Sequence, residues 1–170
     1  MILAMTATPL AMLHHQHGLD DAATVIQLHV LGMFLPSFFT GALISRFGVV
    51  RMMLAGLALL AAHIAITLTG TGFYSFAGAL VLLGVGWNFL FIGGTTLLTT
   101  TYRPSEKGAA QAFNDLTIFV IGLGSSLAAG ALLRLLGWEG LNVVLLPWLA
   151  AAALALLWFI SAARTVSVSR

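Results

Sequence analysis

The stretch GALISRFGVVR, residues 41–51, is a charged link between two long apolar runs. Neither residues 22–45, just before Arg46, nor residues 52–69, just after Arg51, contain an Asp, Glu, Lys or Arg. Both flanks of the link therefore suit the interior of a bilayer. Arg46 lies where the first run ends, and a cation is favoured where the last carbonyls of a helix lack partners. Gly48 suits the left-handed turn that commonly ends a helix. The stretch therefore predicts a tight hairpin between two membrane helices.

The composition of the 170-residue chain is that of a membrane protein. Hydrophobic residues make up 60% of it, charged residues 7%, and the mean hydropathy is +1.05, whereas about a quarter of the residues in a soluble domain are charged. The sequence pI of 9.7 reflects the small number of charges, and no basic cluster of the kind that binds nucleic acid is present. The chain has no Cys, which excludes disulfides and thiolate metal sites.

Apolar segments separated by short polar links follow one another along the whole chain. The predicted spans are residues 1–13, 22–45, 52–69, 73–98, 108–133 and 140–163. A spanning helix needs about 20 apolar residues, so the first segment is interpreted as the end of a truncated helix. Pro36 predicts a kink in the second span. The fold class is therefore all-α and integral to a membrane, with six transmembrane helices.

The distribution of Lys and Arg predicts how the chain lies in the membrane. Successive links lie on alternate sides of the membrane. Of the seven Lys and Arg residues, one side holds only Arg134. The other side holds Arg46, Arg51, Arg103, Lys107, Arg164 and Arg170. Because positive residues favour the cytoplasmic side, we expect these links and the C terminus in the cytoplasm and the His-rich link outside.

The link at residues 41–51 resembles the cytoplasmic motif of the major facilitator superfamily, a Gly, a Leu, an Asp-Arg pair, a Gly and a basic run. The positions that match are Gly41, Leu43, Arg46 and Gly48, with Arg51 as the remainder of the basic run. Ser45 stands where the family has its acid. The segments MTATPLAM, HVLGMFLPSFFTG, LGVGWNFLFIGGTTLL, YRPSEK and QAFND are similar to the C-terminal half of bacterial members.

This resemblance implies one six-helix half-bundle of a major-facilitator-type fold, with its first helix truncated. It implies a secondary active transporter in the bacterial inner membrane that moves a small solute by alternating access. The expected partners are the lipid bilayer, a missing N-terminal six-helix half and a small-molecule substrate, without nucleic acid. No cofactor is expected.

Polar side chains inside the spans are the candidates for a solute path, because such groups are costly in a bilayer. The resemblance implies that the first and fourth spans line that path. The candidate substrate-cavity residues are Trp87, Asn88, Thr6, Thr8, Gln27 and His29. A packing pair beside glycines is the alternative interpretation of Trp87 and Asn88, and Thr side chains often bond only their own helix.

Two further polar residues lie within spans. Asp115 is the only acid there, which makes it the candidate coupling residue, although an acid near the start of a helix also reaches interfacial water. His63 is interpreted as a packing residue with its hydrogen bonds satisfied rather than as a proton carrier.

Small residues recur at four-residue intervals on two spans, a pattern that predicts close helix packing. They are Ser37, Gly41 and Ser45 on the second span, and Gly122, Ser126 and Gly130 on the fifth.

Other functions find less support in the sequence. His14, His15 and His17 lie in a Gly-bearing loop whose spacing fixes no metal geometry, so no metal site is expected. An intramembrane hydrolase is suggested by Ser125 within GSS, but the G-x-S-x-G pattern and an orienting third group are missing, so the chain is not expected to be an enzyme. A truncated product with only an assembly role, or with no independent function, is the second alternative.

Overall fold

The computed structural model describes the backbone of residues 1–168 and the side chains of residues 1–161. The helices are α1 (Ile2–His14), α2 (Leu19–Phe34), α3 (Ser37–Phe47), α4 (Val49–Thr67), α5 (Phe73–Leu98), α6 (Lys107–Val143) and α7 (Leu146–Val168). A short 3₁₀ helix, Pro104–Glu106, leads into α6. No strand occurs within the described backbone, so the all-α prediction is confirmed. The side chains of Arg164 and Arg170, used to predict the orientation, lie outside the described residues.

Helices α2 and α3 form one bent element. Their axes differ by 40° across Leu35 and Pro36, at the place where the sequence predicts a kink. Proline has no backbone N–H and its ring clashes with the preceding turn, so the helix cannot continue regularly through residue 36. Thr40 Oγ1 lies 2.8 Å from the Pro36 carbonyl at the start of α3 and 2.7 Å from Asn88 Oδ1, so its single proton is divided between these two acceptors.

A single residue, Gly48, joins α3 to α4. Its φ of 89° is positive, as the sequence predicts, but its ψ of 147° lies outside the left-handed helical region. That combination is open essentially only to glycine. Arg46 lies in the last turn of α3, with its guanidinium carbon 5.3 Å from the centre of the Phe47 ring. The predicted hairpin is therefore present, with a tighter connection than an ordinary helix cap gives.

The junction between α6 and α7 differs from the prediction. Residues 134–139 were expected to form the link, whereas α6 continues to Val143 and is broken only at Gly137, where φ is 68°. The next connection is Val144 and Leu145, and α7 starts at Leu146. Leu135 and Leu136 allow the helix to extend, and a polar link cannot be recognised in a stretch with so few polar residues.

Three helical segments of the described chain are long and apolar enough to cross a membrane, and the bent α2–α3 pair is a fourth. The segments are Val49–Thr67, Phe73–Leu98 and Pro104–Ser161. The last contains 58 residues, far more than the ~20 of one span, and the Gly137 break with the 144–145 connection divides it between α6 and α7. Helix α1, at 13 residues, is shorter than a span.

Helix α5 lies at the centre of the packing, with its largest contacts to α4 and α2, while α6 packs mainly on α1. The core combines small residues of α1 with larger residues of α5. Ala4, Ala7 and Ala11 allow α1 to approach closely, and Phe76, Leu80 and Leu83 of α5 fill the space. Large side chains on α6, α7 and α3 remain exposed, as expected for surfaces that face lipid or another membrane helix.

Candidate functional site

Glycines allow α5 to touch the backbones of both neighbouring helices. A Cβ placed on Gly84 would lie 2.6 Å from the His29 carbonyl oxygen of α2, and one on Gly32 would lie 3.0 Å from the Val81 carbonyl oxygen. Gly56 of α4 and Gly86 of α5 face each other, with a Cβ on either lying 2.9 Å from the other's carbonyl oxygen. The glycines of α5 therefore allow α2, α5 and α4 to pack closely as one layer of three helices.

Two buried histidines bond α5 from opposite sides at the same level. His29 of α2 lies 2.8 Å through Nδ1 from the Leu80 carbonyl, and His63 of α4 lies 2.9 Å through Nδ1 from the Ala79 carbonyl. A carbonyl can only accept, so Nδ1 of His29, the one nitrogen of that ring with a partner, carries the proton. His29 is fully buried, and its Nε2 has no hydrogen-bond partner among the described residues. Nε2 of a neutral His29 therefore presents an acceptor lone pair.

Asn142 extends the histidine network to the end of α6. Its Oδ1 lies 3.1 Å from His63 Nε2, and its Nδ2 donates to the Trp138 carbonyl at 2.8 Å. Both ring nitrogens of His63 therefore face acceptor oxygens, so a neutral ring can donate to only one of them, and its interpretation as a packing residue stays a prediction. No local sequence pattern indicates this contact, because the two residues lie 79 positions apart.

Asn88 is bound to the bend between α2 and α3. Its Nδ2 lies 2.7 Å from the Met33 carbonyl and 2.6 Å from Ser37 Oγ, while its Oδ1 accepts from the Thr40 hydroxyl at 2.7 Å. Asn88 and Thr40 are buried, with 1% and 0% of their surfaces exposed. The break at Pro36 leaves carbonyls in the last turn of α2 without helical partners, and Asn88 supplies a donor to one of them. Its amide is thereby used within this chain.

The other candidate cavity residues lie in different surroundings. Trp87 is half-buried and stacks on Phe91, with ring centres 4.7 Å apart and planes at 17°. Thr8 is buried and donates to the Ala4 carbonyl of its own helix at 2.7 Å, Thr6 is half-buried, and Gln27 is exposed. The structure thus joins His29 and Asn88 through the α2–α5 interface. The assignment of all six to a substrate cavity stays a prediction.

The two predicted small-residue stripes differ in what they touch. Ser37, Gly41 and Ser45 are exposed, and a Cβ on Gly41 would meet nothing within 4 Å among the described residues. The second stripe meets α1: a Cβ on Gly122 would lie 2.6 Å from Ile2 Cδ1, and one on Gly130 would lie 4.0 Å from Leu10 Cδ1, while Ser126 is exposed. The closest approach of a glycine to the backbone of another helix is instead made by Gly84, which belongs to neither stripe.

A family model described as Major Facilitator Superfamily matches residues 1–169. The chain belongs to the major facilitator superfamily. Its all-helical architecture is that of a six-helix half of the fold, and it is a membrane protein. No solved structure matches the chain significantly.

Curated relatives of this major facilitator chain include named and unassigned transporters. It is 48% identical over 147 residues, 86% of its length, to the riboflavin transporter RfnT of Brucella anthropi. It is 39% identical over 76% of its length to the uncharacterised transporter YddS, and 33% identical over 85% to the uncharacterised transporter YdeG, both of Bacillus subtilis. The matched region spans 37%, 30% and 34% of these relatives, so the chain spans about a third of their length.

The major facilitator loop motif is exposed at the α3–α4 connection. Arg46, Gly48 and Arg51 are exposed and Leu43 is half-buried, while Ser45, at the family's acid position, donates to the Gly41 carbonyl at 3.0 Å. The Ser45 hydroxyl therefore bonds within its own helix. A role for this loop in gating stays a prediction.

Asp115 lies two turns into α6 and is exposed. Its Oδ1 accepts from Gln111 Nε2 and Asn114 Nδ2, each at 3.2 Å. Both donors are on its own helix, so no second helix bonds this carboxylate within the described residues. The contacts are those of an acid at the end of a span, and the coupling role stays a prediction.

Proposed function

We propose that this chain is the C-terminal six-helix half of a secondary transporter that carries riboflavin, or a solute of the same chemical class, across the bacterial inner membrane. The observation that carries the proposal is the 48% identity to the riboflavin transporter RfnT over 86% of the chain. The names of the relatives give no support to the hydrolase alternative. Within the described residues, neither His29 nor His63 forms a hydrogen bond with Ser125.

Transport by alternating access requires two bundles that rock against each other around a solute. The layer of α2, α5 and α4 supports this role because backbone contacts and buried hydrogen bonds make it a rigid body. The exposed surface of α3, which includes Phe38 and Phe39 with 82% and 63% exposure, is a candidate surface for the N-terminal half. The missing half would cover it while the layer moves as one unit.

His29 is the first residue proposed to bind the solute. Its free Nε2 is an acceptor buried in the bundle, and a solute N–H or O–H group is a suitable donor to it. The half-exposed ring of Trp87, already stacked on Phe91, offers an aromatic face one helical turn from the α2–α5 contact at Gly84. An aromatic heterocycle with N–H and hydroxyl groups satisfies both.

Uptake of radiolabelled riboflavin tests the function. A bacterial strain that cannot synthesise riboflavin and lacks its own riboflavin uptake receives the gene that encodes this chain, alone or together with a six-helix N-terminal half. We expect labelled riboflavin to accumulate, and growth to be restored, only when both halves are present. His29→Phe removes Nε2 and also the Nδ1 donor to the Leu80 carbonyl, so its thermal unfolding is compared with that of the wild-type protein. In the protein that folds, the KM for uptake should rise about tenfold, the equivalent of one lost hydrogen bond to a solute.

Two results would contradict this proposal. Uptake by the chain alone would remove the requirement for the other half. Correctly inserted protein that takes up no riboflavin in either case, while an unrelated solute accumulates, would remove riboflavin as its substrate.

The proposed orientation places the α3–α4 link and the 3₁₀ helix Pro104–Glu106 in the cytoplasm. Single cysteines can be introduced freely because the chain has none. A membrane-impermeant thiol reagent should label Gly18→Cys in intact cells and should label Ser105→Cys only after the cells are opened. Both positions are exposed, so a reversed pattern would reverse the orientation.

A further inference from the structure

A cavity of about 680 Å³ lies between the C-terminal end of α1 and the part of α6 around Gly137. We call it the α1–α6 cavity. Its polar lining residues are His14, His15 and Arg134, and Trp138 lies beside them. Small-molecule sites in proteins generally measure about 300–1,000 Å³. The size is therefore that of a site for one small molecule.

Aromatic rings hold one wall of the α1–α6 cavity in place. The central ring is Phe76, 1% exposed, whose centre lies 5.0 Å from the Trp138 ring, 5.7 Å from the His17 ring and 6.4 Å from the His15 ring. His14 packs edge-on against His15 with ring centres 5.5 Å apart. Rings from the α1 end, α5 and α6 thus form one contact cluster beside the cavity, which makes this wall rigid and favourable for ring stacking.

The polar groups of the α1–α6 cavity are free to bind a ligand. His17 Nε2 is occupied by the Thr71 carbonyl at 2.7 Å. In contrast, the side chains of His14, His15 and Arg134 form no hydrogen bond or ion pair within the part of the chain that the structure describes. The described lining also includes no carboxylate. The cavity therefore offers donors and positive charge without a counter-ion, and it selects a ligand rich in acceptor oxygen or nitrogen atoms.

The break in α6 brings the cation and the ring together. Gly137 adopts a φ of 68° between Arg134 and Trp138, so the two residues belong to helical segments of different direction and yet line the same cavity. A guanidinium is planar and presents parallel N–H donors, which match two adjacent acceptors on a planar ring. The role of Gly137 in this cavity is therefore to change the direction of α6.

We propose that the α1–α6 cavity binds a planar heteroaromatic solute bearing carbonyl acceptors, with Arg134 donating to the acceptors and His14 and His15 packing on the ring. The inference rests on the proposed transport of riboflavin, whose ring has this chemistry, and it adds a binding site apart from the His29 and Asn88 region. By the proposed orientation this cavity opens on the outer side, where an imported solute would bind before it enters the path.

Fluorescence anisotropy of riboflavin tests the site, with the protein in lipid nanodiscs of phosphatidylcholine. We expect riboflavin to bind and ribitol, which lacks the ring, not to compete. Arg134→Gln should raise the Kd about tenfold or more, because a hydrogen bond from a charged donor is lost. His15→Ala should raise it less. The matched control is Arg103→Gln, another exposed arginine, which should leave the Kd unchanged.

A structural effect of Arg134 is separated by Arg134→Lys, which keeps the charge but not the planar fork. It should bind riboflavin more weakly than the wild-type protein while its circular dichroism and thermal unfolding stay the same. Wild-type affinity in Arg134→Gln, Arg134→Lys and His15→Ala would overturn the site, although riboflavin binding itself would still support the transport proposal.

Two further arms separate the remaining interpretations. If the wild-type protein binds no riboflavin but binds a pterin in an Arg134-dependent way, the site stands and riboflavin falls as the transported solute. If it binds neither, the site is overturned. Displacement of bound riboflavin by phosphatidylglycerol in the nanodisc, lost in Arg134→Gln, would assign the cavity to an anionic lipid headgroup and would also overturn the proposal.

Discussion

Helix α5 and the α6–α7 region are both apolar enough to cross a membrane, yet they differ in how much of their surface is buried inside the chain. Half of the most apolar 18-residue window of α5 is buried inside the chain, against 6% of the corresponding window in Pro104–Ser161. Helix α5 is enclosed by α2 and α4, whereas the α6 residues Phe113, Phe119 and Leu127 are 73–76% exposed. In a bilayer, then, hydrophobicity identifies a span but does not tell its protein-facing side from its lipid-facing side.

Two features distinguish α5 from the part of α6 before Gly137: glycines in contact with the backbone of another helix, and polar side chains with partners on other helices. The contact of Asn142 with His63 lies after the Gly137 break. Lipid tails are as apolar as Leu, so helices associate through close packing and hydrogen bonds rather than through removal of apolar surface from water. Helix α5 has both kinds of contact, through Gly84 and Gly86 and through Asn88. In α6, by contrast, the hydroxyl of Thr117 donates to the Phe113 carbonyl of its own helix.

The largest expected effect comes from filling the α2–α5 contact. Gly84→Leu places side-chain atoms against the His29 carbonyl and the Met33 backbone, neither of which can turn aside. We expect the free energy of unfolding to fall by about 3 kcal/mol or more, because overpacking against backbone forces helices apart. Unfolding by SDS titration, followed by circular dichroism, measures this loss.

The matched control is Gly94→Leu, on the same helix at a position where an added Cβ meets nothing within 4 Å. It should change the unfolding free energy by less than about 0.5 kcal/mol. Equal effects of the two substitutions would mean that α5 is not distinguished by its contact with α2.

A smaller effect is expected at the bend between α2 and α3. Asn88→Ala removes the donor to the Met33 carbonyl and the acceptor for Thr40, leaving buried groups without one of their partners. The expected cost is about 2 kcal/mol in the same SDS titration. Thr96→Ala on α5 is the control, because its exposed hydroxyl bonds only the Ile92 carbonyl of its own helix.

Transport by the surviving Asn88→Ala protein then decides between its two interpretations. If Asn88 is a bond that holds the bend, uptake per folded molecule should keep its KM for the solute. A KM raised severalfold at unchanged stability would instead make Asn88 a solute contact, and the α5 centre would be part of the path rather than of the rigid layer.

Local sequence signals predicted the features that depend on one residue or on its immediate neighbours. The kink at Pro36 and the positive φ of Gly48 follow from the covalent geometry of proline and glycine, so they need no knowledge of the rest of the fold. The end of α6 was missed because Gly137 breaks the helix in a stretch with little change in polarity.

Pairings between distant helices could not be read from one sequence. His63 was assigned as a packing residue, but nothing near it points to Asn142, and Thr40 carries no sign of its bond to Asn88. Four-residue spacing likewise identified a small-residue surface on α3 without telling what covers it. The Gly56–Gly86 contact lacks any such repeat, because a crossing of two helices needs only one small residue on each.

The smallest effect on stability is expected on the exposed surface of α3. Gly41→Leu adds a side chain where no atom lies within 4 Å of the new Cβ, so the unfolding free energy of the chain should change by less than about 0.5 kcal/mol. Gly122→Leu should cost about 1 kcal/mol, because Ile2 Cδ1 must move but is the flexible end of a side chain. If the small-residue surface of α3 meets the other half of the transporter, Gly41→Leu should nevertheless reduce riboflavin uptake and the co-purification of an N-terminal half. Full uptake and co-purification with Gly41→Leu would mean that this surface faces lipid, as the exposed surface of α6 does.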